Sequence, residues 1–400
     1  MMIKERESVK TVTAVLVGIG GYGNTILKNC LHRLEEFGIR LVGAVDPNPG
    51  AAPMWEELVR LGVPHYEDLQ DFYAENKADL AILCTPIQFH ERHAILAMEK
   101  GSDVLCEKPT AATLLQSARM AEVARRTGRQ LHIGFQLCYV PAVWRLKQDI
   151  MDGVLGNPLE LRSLICWPRN ADYYARSWCA KLKWKGEYVL DSIAMNACAH
   201  YLHLMYFLLG DTMDTSAMPE TVEAILCQAN PIETFDTAML QAAAKGAKLQ
   251  FLATHTCEKR VNPIMRFVFE NAVVDMTEGE EENAIRARFR DGTVKDYGAV
   301  RQDFFHKVPY CADAVRGLAQ PVCTPETAEA HLKTVNAVTE LVKVLELEGV
   351  VNEKAVTVVP GMDTCLEEAF RQGKMPWELT DRFGIPTRLE LKDYVWRDTL

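Results

Sequence analysis

The chain lacks several features that would settle its class at once. None of its 12 cysteines lies within three residues of another, so no Cys-x-x-Cys exists. Neither a zinc ribbon nor a redox dithiol of that spacing is encoded. Scattered cysteines in 400 residues read as reduced, mostly buried small hydrophobes, and no metal site is expected. No apolar run approaches the roughly 18 residues that span a bilayer, so no membrane partner is expected. Residues Met1 to Lys10 are charged and lack the apolar core of an export signal, which makes the cytoplasm the expected location. Basic blocks are missing too. With 54 acidic residues against 44 basic, the net charge is −10, and nucleic acid is not an expected partner.

What the chain has is alternation. From Thr11 to Gly134, apolar runs at Val12 to Val17, Ile39 to Val45, Leu80 to Leu83, Asp103 to Cys106 and Gln130 to Ile133 alternate with helical spacing, clearest over Glu91 to Lys100 and Thr113 to Thr127. This predicts a parallel sheet with right-handed crossovers. After Pro141 a helix runs to about Met151, closed by Gly153 and Gly156. Then the pattern changes to consecutive strands with tight turns: Leu159 to Trp167, Val222 to Gln228, Thr237 to Ala243, Lys248 to Thr256, Met265 to Glu270, Ala272 to Thr277, Ala284 to Phe289 and Thr293 to Tyr297. Such strands pair antiparallel. The expected fold class is therefore α/β plus α+β. A doubly wound Rossmann domain spans residues 11–136, and an open, mainly antiparallel sheet with helices on one face spans 137–349. Thr324-Pro325-Glu326 starts a helix whose apolar spacing extends to about Leu347. Residues 350–400 carry Trp377, Phe383, Tyr394 and Trp396 among charges and are too apolar for plain disorder. They read as an extension that packs on the second domain, a site mouth or a partner subunit.

The run Val12 to Val17 stops at Gly18 and continues Ile19, Gly20, Gly21, Tyr22, Gly23 into a helical pattern. Strand, Gly-x-Gly-x-x-Gly and helix in that order form the dinucleotide-binding fingerprint. Gly18 allows the tight turn, Gly20 lets the backbone approach a pyrophosphate, and Gly23 lets helix and strand pack closely. The pyrophosphate then sits on the helix N-terminus, where free N–H groups favour anions. Asp46 ends the next strand, 23 residues after Gly23. A carboxylate there accepts hydrogen bonds from the ribose hydroxyls of NAD and repels the 2′-phosphate of NADP. A second unit runs from Leu83 to Pro109: a strand ending at Thr85-Pro86, then His90, a helix, and a strand ending in Glu107-Lys108-Pro109. Lys108 lies just past a strand end, where open parallel sheets hold their ligands.

With Gly134-Phe135-Gln136, Leu155-Gly156 and a helix carrying His200, these residues resemble the glucose-fructose oxidoreductase, inositol dehydrogenase and MocA (Gfo/Idh/MocA) family over roughly residues 12–345. The resemblance implies an enzyme, a nicotinamide-dependent oxidoreductase of a sugar, cyclitol or related polyol. NAD would be held by Gly18, Gly20, Gly21, Tyr22, Gly23, Asp46, Thr85, Pro86, His90, Glu107, Lys108 and Gln136, and a homodimer or homotetramer through the second sheet is expected. His200 aligns with the family's catalytic histidine, whose imidazole takes a hydroxyl proton while the carbon-bound hydride leaves for the nicotinamide. Lys108, the other catalytic residue, bonds the hydroxyl or the carboxamide and favours a developing alkoxide. Glu107 orients Lys108 or a ribose hydroxyl, and a cis peptide is expected at Pro109.

The chain departs from the family pattern Asp-x-x-x-His-x-x-Asp, with Asn196 four residues before His200 and His203 three after it. On one continuous helix capped by Asp191 or Ser192, Asn196, His200 and His203 share a face. Asp191, if on that helix, lies roughly 13 Å from His200. Asn196 cannot offset an imidazolium charge, so Asn196→Asp is expected to raise the histidine pKa. Tyr173, Tyr174, Tyr188 and Lys183 are alternative acid-base groups, with nothing to rank them. Arg169, Tyr174 and Trp178 combine aromatic faces with guanidinium forks, which suits a carbohydrate and also suits a protein interface. Together with Asp191, Asn196 and His200 they make the expected substrate set. Two other readings stay open: redox-neutral glycoside cleavage with a tightly held NAD, and a noncatalytic NAD-sensing protein on the same fold.

Overall fold

The computed structural model describes residues 10–279 and 283–400; the first nine, considered above for export signals, lie outside them. The chain forms two compact units. One comprises the chain up to Thr110, Ala118–Gln136 and Phe305–Pro325, the other Ala111–Ser117, Leu137–Phe304 and Glu326–Leu400. The division expected after residue 136 is one of several crossings, because the helix Lys307–Val315 returns to the first unit. Residues 350–400 are part of the second unit.

In the first unit β1 (Val12–Val17), β2 (Ile39–Val45), β3 (His65–Tyr66), β4 (Leu80–Leu83), β5 (Asp103–Cys106) and β6 (Leu131–Ile133) stand in the order β3-β2-β1-β4-β5-β6, all parallel. Strands β4 and β5 are wholly buried. That is why they read as unbroken apolar runs, since helices cover both faces of such a sheet. The strand order reverses between β1 and β4, and ligands bind parallel sheets in the crevice beyond the carboxyl ends at that point. The two-residue β3 had no signal of its own in the sequence and pairs only with Ala44 and Val45.

The second unit is built on β7 (Pro158–Cys166), a small hairpin of β8 (Lys183–Trp184) and β9 (Glu187–Tyr188), and then β10 (Thr221–Gln228), β11 (Thr237–Ala244), β12 (Ala247–Thr254), β13 (Val261–Phe269), β14 (Ala272–Glu278), β15 (Asn283–Phe289) and β16 (Val294–Gly298). Two antiparallel meanders, β10 to β12 and β13 to β16, flank β7, which runs parallel to β12 and antiparallel to β13. The helix expected to reach about Leu347 ends at Leu341. Beyond it β17 (Val344–Glu346) lies parallel to the end of β10, so pairing at the sheet edge overrides the helical spacing of those residues.

The extension forms a short hairpin, β18 (Val350–Val351) with β19 (Thr357–Val358), and adds β20 (Thr387–Glu390) to β10. Its helix Met362–Gln372 packs Met362, Leu366 and Ala369 on Leu164, Ile225, Met239 and Leu252 of the sheet. The alternate residues Leu161, Ser163 and Ile165 are buried as well and face the other way, where the helix Ala199–Leu208 packs on β7 and β12. The extension thus covers a sheet face of its own unit. No helix among the described residues is long and apolar enough to cross a membrane.

Candidate active site

At the glycine turn the backbone leaves no choice of residue. Gly18 has φ +83°, and a Cβ on it would lie 2.9 Å from the Cys84 backbone; a Cβ on Gly23 would lie 1.8 Å from the Gly18 oxygen. Gly20 and Gly21 are the opposite case, with nothing within 4 Å of a Cβ on either. The helix Gly21–Cys30 begins there with no side-chain cap, so its first N–H groups are left for an anion such as a diphosphate. Asp46 accepts the Ile19 N–H at 3.0 Å and the Asn48 N–H at 2.9 Å, one on each carboxylate oxygen. It fixes the turn and still has lone pairs for ribose hydroxyls.

A buried cation ties the neighbouring strand ends together. Lys307 donates to Glu107 Oε1 at 2.5 Å, to the Gly134 oxygen at 3.2 Å and to Tyr22 Oη at 3.3 Å, while Tyr22 donates to Gln136 at 3.1 Å. A Cβ on Gly134 would meet the Glu107 carboxylate at 2.8 Å, so this glycine makes room for the acid. Burial disfavours the Lys307 charge, but Glu107 and Tyr22 outweigh it and hold its pKa above the usual lysine value. Burial pushes the Tyr22 phenol up to about 12. Glu107 therefore pairs Lys307 through Oε1, a partner not among those expected for it. Lys307 itself was missed, since it lies 200 residues from Glu107 and no spacing marks it.

His90 is buried, its Nδ1 2.8 Å from the Pro109 oxygen and its Nε2 2.9 Å from the Thr85 oxygen. Burial lowers its pKa. With both ring nitrogens against backbone carbonyls, His90 braces the Thr85-Pro86 and Lys108-Pro109 turns, which are themselves among the residues expected at the nucleotide. The Lys108-Pro109 peptide is cis, and Lys108, half-buried, lies just past β5.

In the second unit the expected continuous helix is broken. Ser192 caps a π turn over Ile193–Ala197 by accepting the Met195 N–H, and Cys198 at φ −108° separates that turn from the helix Ala199–Leu208, which carries His200 in its first turn. Leu190 has φ +50°, and Asp191 after it accepts Asn196 Nδ2 at 2.8 Å and the Ala180 N–H at 2.6 Å. Asn196 is thus not on the His200 helix, and Asp191 is not a distant residue of that helix but a buried carboxylate holding the Asn196 amide. Burial raises the Asp191 pKa against those bonds. His203 belongs to the core, with Nε2 3.2 Å from Cys138 Sγ and its pKa driven well down by burial. Lys183 and Tyr188 bond the Leu400 oxygen at 2.7 and 3.0 Å.

Tyr173 and Tyr174 join Arg169 and Trp178 in one cluster. The Arg169 guanidinium lies 4.6 Å from the Tyr173 ring centre and 5.7 Å from that of Trp167, and Arg176 lies 4.4 Å from Tyr173 and 5.1 Å from Trp178. Tyr174 meets Tyr173 edge-on at 5.1 Å. Trp167 in turn meets Tyr201, the neighbour of His200, at 6.0 Å. Tyr201 donates to Glu278 at 2.9 Å, and burial raises the Glu278 pKa to about 7. Sequence reasoning singled out neither Tyr201 nor Glu278.

The family described as the oxidoreductase family with an NAD-binding Rossmann fold, Gfo/Idh/MocA, matches residues 12–135. The N-terminal domain thus matches the Gfo/Idh/MocA family. D-glucoside 3-dehydrogenase of Escherichia coli K12 is 34% identical over 91 residues, 23% of this chain and 26% of that protein. Inositol 2-dehydrogenase of Klebsiella pneumoniae is 28% identical over 198 residues, 49% of this chain and 54% of that one. The chain thus spans about a quarter and about half of the lengths of these two curated relatives. The crystal structure of the WlbA dehydrogenase from Chromobacterium violaceum, in complex with NADH and UDP-GlcNAcA, matches with a TM-score of 0.67 at 19% identity over 98% of this chain and 100% of that one. The shared fold therefore extends over the second unit.

Proposed function

We propose that the protein is an NAD-dependent oxidoreductase that moves a hydride between a CH–OH group of a sugar, cyclitol or related polyol and nicotinamide. The glycine turn carries this reading: Gly18 and Gly23 admit no side chain while Gly20 and Gly21 face open space, within a domain of an NAD-binding oxidoreductase family. Two relatives, a D-glucoside 3-dehydrogenase and an inositol 2-dehydrogenase, supply the substrate class. NAD, when bound, supplies the hydride acceptor. On the protein side, Lys108 bonds the reacting hydroxyl and favours its alkoxide, and His200 takes the hydroxyl proton at a ring nitrogen. Asp191 holds Asn196 beside the start of the His200 helix, and Arg169, Tyr174 and Trp178 bind the substrate. Asp46, followed by Pro47 with no arginine for a 2′-phosphate, selects NAD over NADP by about ten- to a hundredfold.

A panel of sugars, cyclitols and glycosides, followed by NADH absorbance and product mass, tests the reading. Lys108→Ala should lower turnover at least about a hundredfold with NAD binding retained. Cleavage of a glycoside without added coenzyme would favour the redox-neutral reading instead.

A further inference from the structure

Several arginines of the second unit in this chain of net charge −10 are engaged by carboxylates, Arg162 by Glu160, Arg266 and Arg288 by Asp275 and Arg286 by Asp296, while Arg145 and Arg382 bond backbone oxygens. Around Trp167 that pattern stops. The guanidinium groups of Arg169 and Arg260 each lie 5.7 Å from the Trp167 ring centre, and among the described residues neither has a carboxylate partner. Arg169 Nε is buried with no acceptor in reach. Arg176, on the same aromatic run, directs Nε and Nη2 to the Tyr173 oxygen and Cys179 Sγ. Of the buried acids of the region, Asp191 is held by Ala180 and Asn196, and Asp236 accepts the Ala229 and Asn230 N–H groups and the Asn230 amide on Oδ2 alone, its Oδ1 being buried without a partner.

We infer that the substrate carries an anionic oxygen group, a carboxylate or a phosphate, and that Arg169 and Arg260 receive it. A guanidinium laid on an aromatic ring keeps its N–H edge for a planar oxyanion, and a buried donor without an acceptor is relieved when one arrives. A polyol hydroxyl offers that donor one neutral acceptor, weaker than the charge-assisted, two-oxygen bonding an oxyanion gives a guanidinium, so the arrangement favours the anion. Trp167 meets Tyr201 at 6.0 Å and Tyr201 meets His200 at 6.5 Å, so the two cations stand two ring contacts from the histidine assigned the hydroxyl proton. On this inference the anion is held at the arginine end of that row of rings and the reacting hydroxyl at the histidine end. The sugar or polyol part of this ligand rests on the oxidoreductase reading; the anion rests on the arginines.

The test is calorimetric titration of the NAD-loaded full chain with D-glucuronate, D-gluconate, D-glucose 6-phosphate, D-glucose and myo-inositol, with NADH formation read in the same samples. At least one anion should bind about tenfold or more tightly than the neutral compounds, and the gap should narrow with added salt. Whether the acids or the phosphate bind decides between the two anions. Arg169→Gln should cut the anion-to-neutral ratio about tenfold, Arg169→Lys should recover part of it, and the exposed Arg260→Gln should lower it less. Equal binding of anionic and neutral compounds, or an Arg169→Gln loss that falls alike on both, overturns the inference. Oxidation of neutral polyols with no preference for acids defeats the anion site and leaves the oxidoreductase reading standing. Anion binding that Arg169→Gln abolishes, with no NADH from any compound, upholds the anion site and defeats that reading.

Discussion

The Asn196 amide donates to a carboxylate that is already buried, and this one bond alters what a substitution there does. The family pattern suggested that Asn196→Asp would restore an acid and raise the pKa of His200. With Asp191 only 2.8 Å from the side chain, the change instead sets two carboxylates against each other, and such a pair keeps one proton across neutral pH. Its folded pKa lies above the unfolded one, so the pair's contribution is intact below about pH 4 and is lost as pH rises through the folded value. Asn196→Asp should therefore cost about 1–3 kcal/mol at pH 8 and much less at pH 5. Urea unfolding of wild type and variant at both values checks this, and an equal cost at the two would remove Asp191 from the account. Gly18 and Gly23 were legible because backbone geometry at a strand end dictates them locally, and Asp46 because it follows β2 and bonds that same turn. The partners of Asn196, Tyr201 and Lys307 were not, because each bond depends on a fold that brings distant or doubled-back chain together.

Several element ends meet at Lys307: the turn after β1 through Tyr22, the end of β5 through Glu107, and the residues after β6 through Gly134. Removing one partner of a buried ion pair leaves the other charge without compensation, so Lys307→Met should destabilise the protein by about 3–5 kcal/mol. Adding Glu107→Gln should recover part of that loss, because a neutral amide needs only hydrogen bonds. Denaturant unfolding of the single and double variants measures the difference; equal instability would mean that packing, not the ion pair, holds these ends. At this scale the strands were legible from runs and alternation, and nearly every boundary falls within a few residues of its expectation. The exceptions have physical causes. The helix ending at Leu341 yields to edge pairing by Val344–Glu346, and the π turn at Ile193–Ala197 sits in a stretch whose apolar spacing cannot distinguish five residues per bond from four.

Across the whole molecule, buried titratable groups set opposing slopes of stability with pH. Burial lowers His93 and His132 to about 4 and His255 to about 3, from an ordinary 6.5. Their contribution is present above about 6.5 and is lost as pH falls toward those folded values. Glu278 runs the other way, raised by burial from 4.5 to about 7, so its contribution is present below about 4.5 and is lost as pH rises through 7. Glu278→Gln keeps an oxygen for the Tyr201 hydroxyl and removes the ionisation. The variant should be more stable than wild type by up to about 3 kcal/mol at pH 8, with the advantage shrinking to nothing near pH 4.5. Urea midpoints from pH 4.5 to 8.5 measure it, and an advantage that does not shrink toward acid would have a source other than the carboxylate. A carboxyl that lowers stability at pH 8 and accepts from the residue beside His200 fits work at that site better than a contribution to folding. On that argument the more stable variant should also turn over more slowly on whichever substrate the panel identifies.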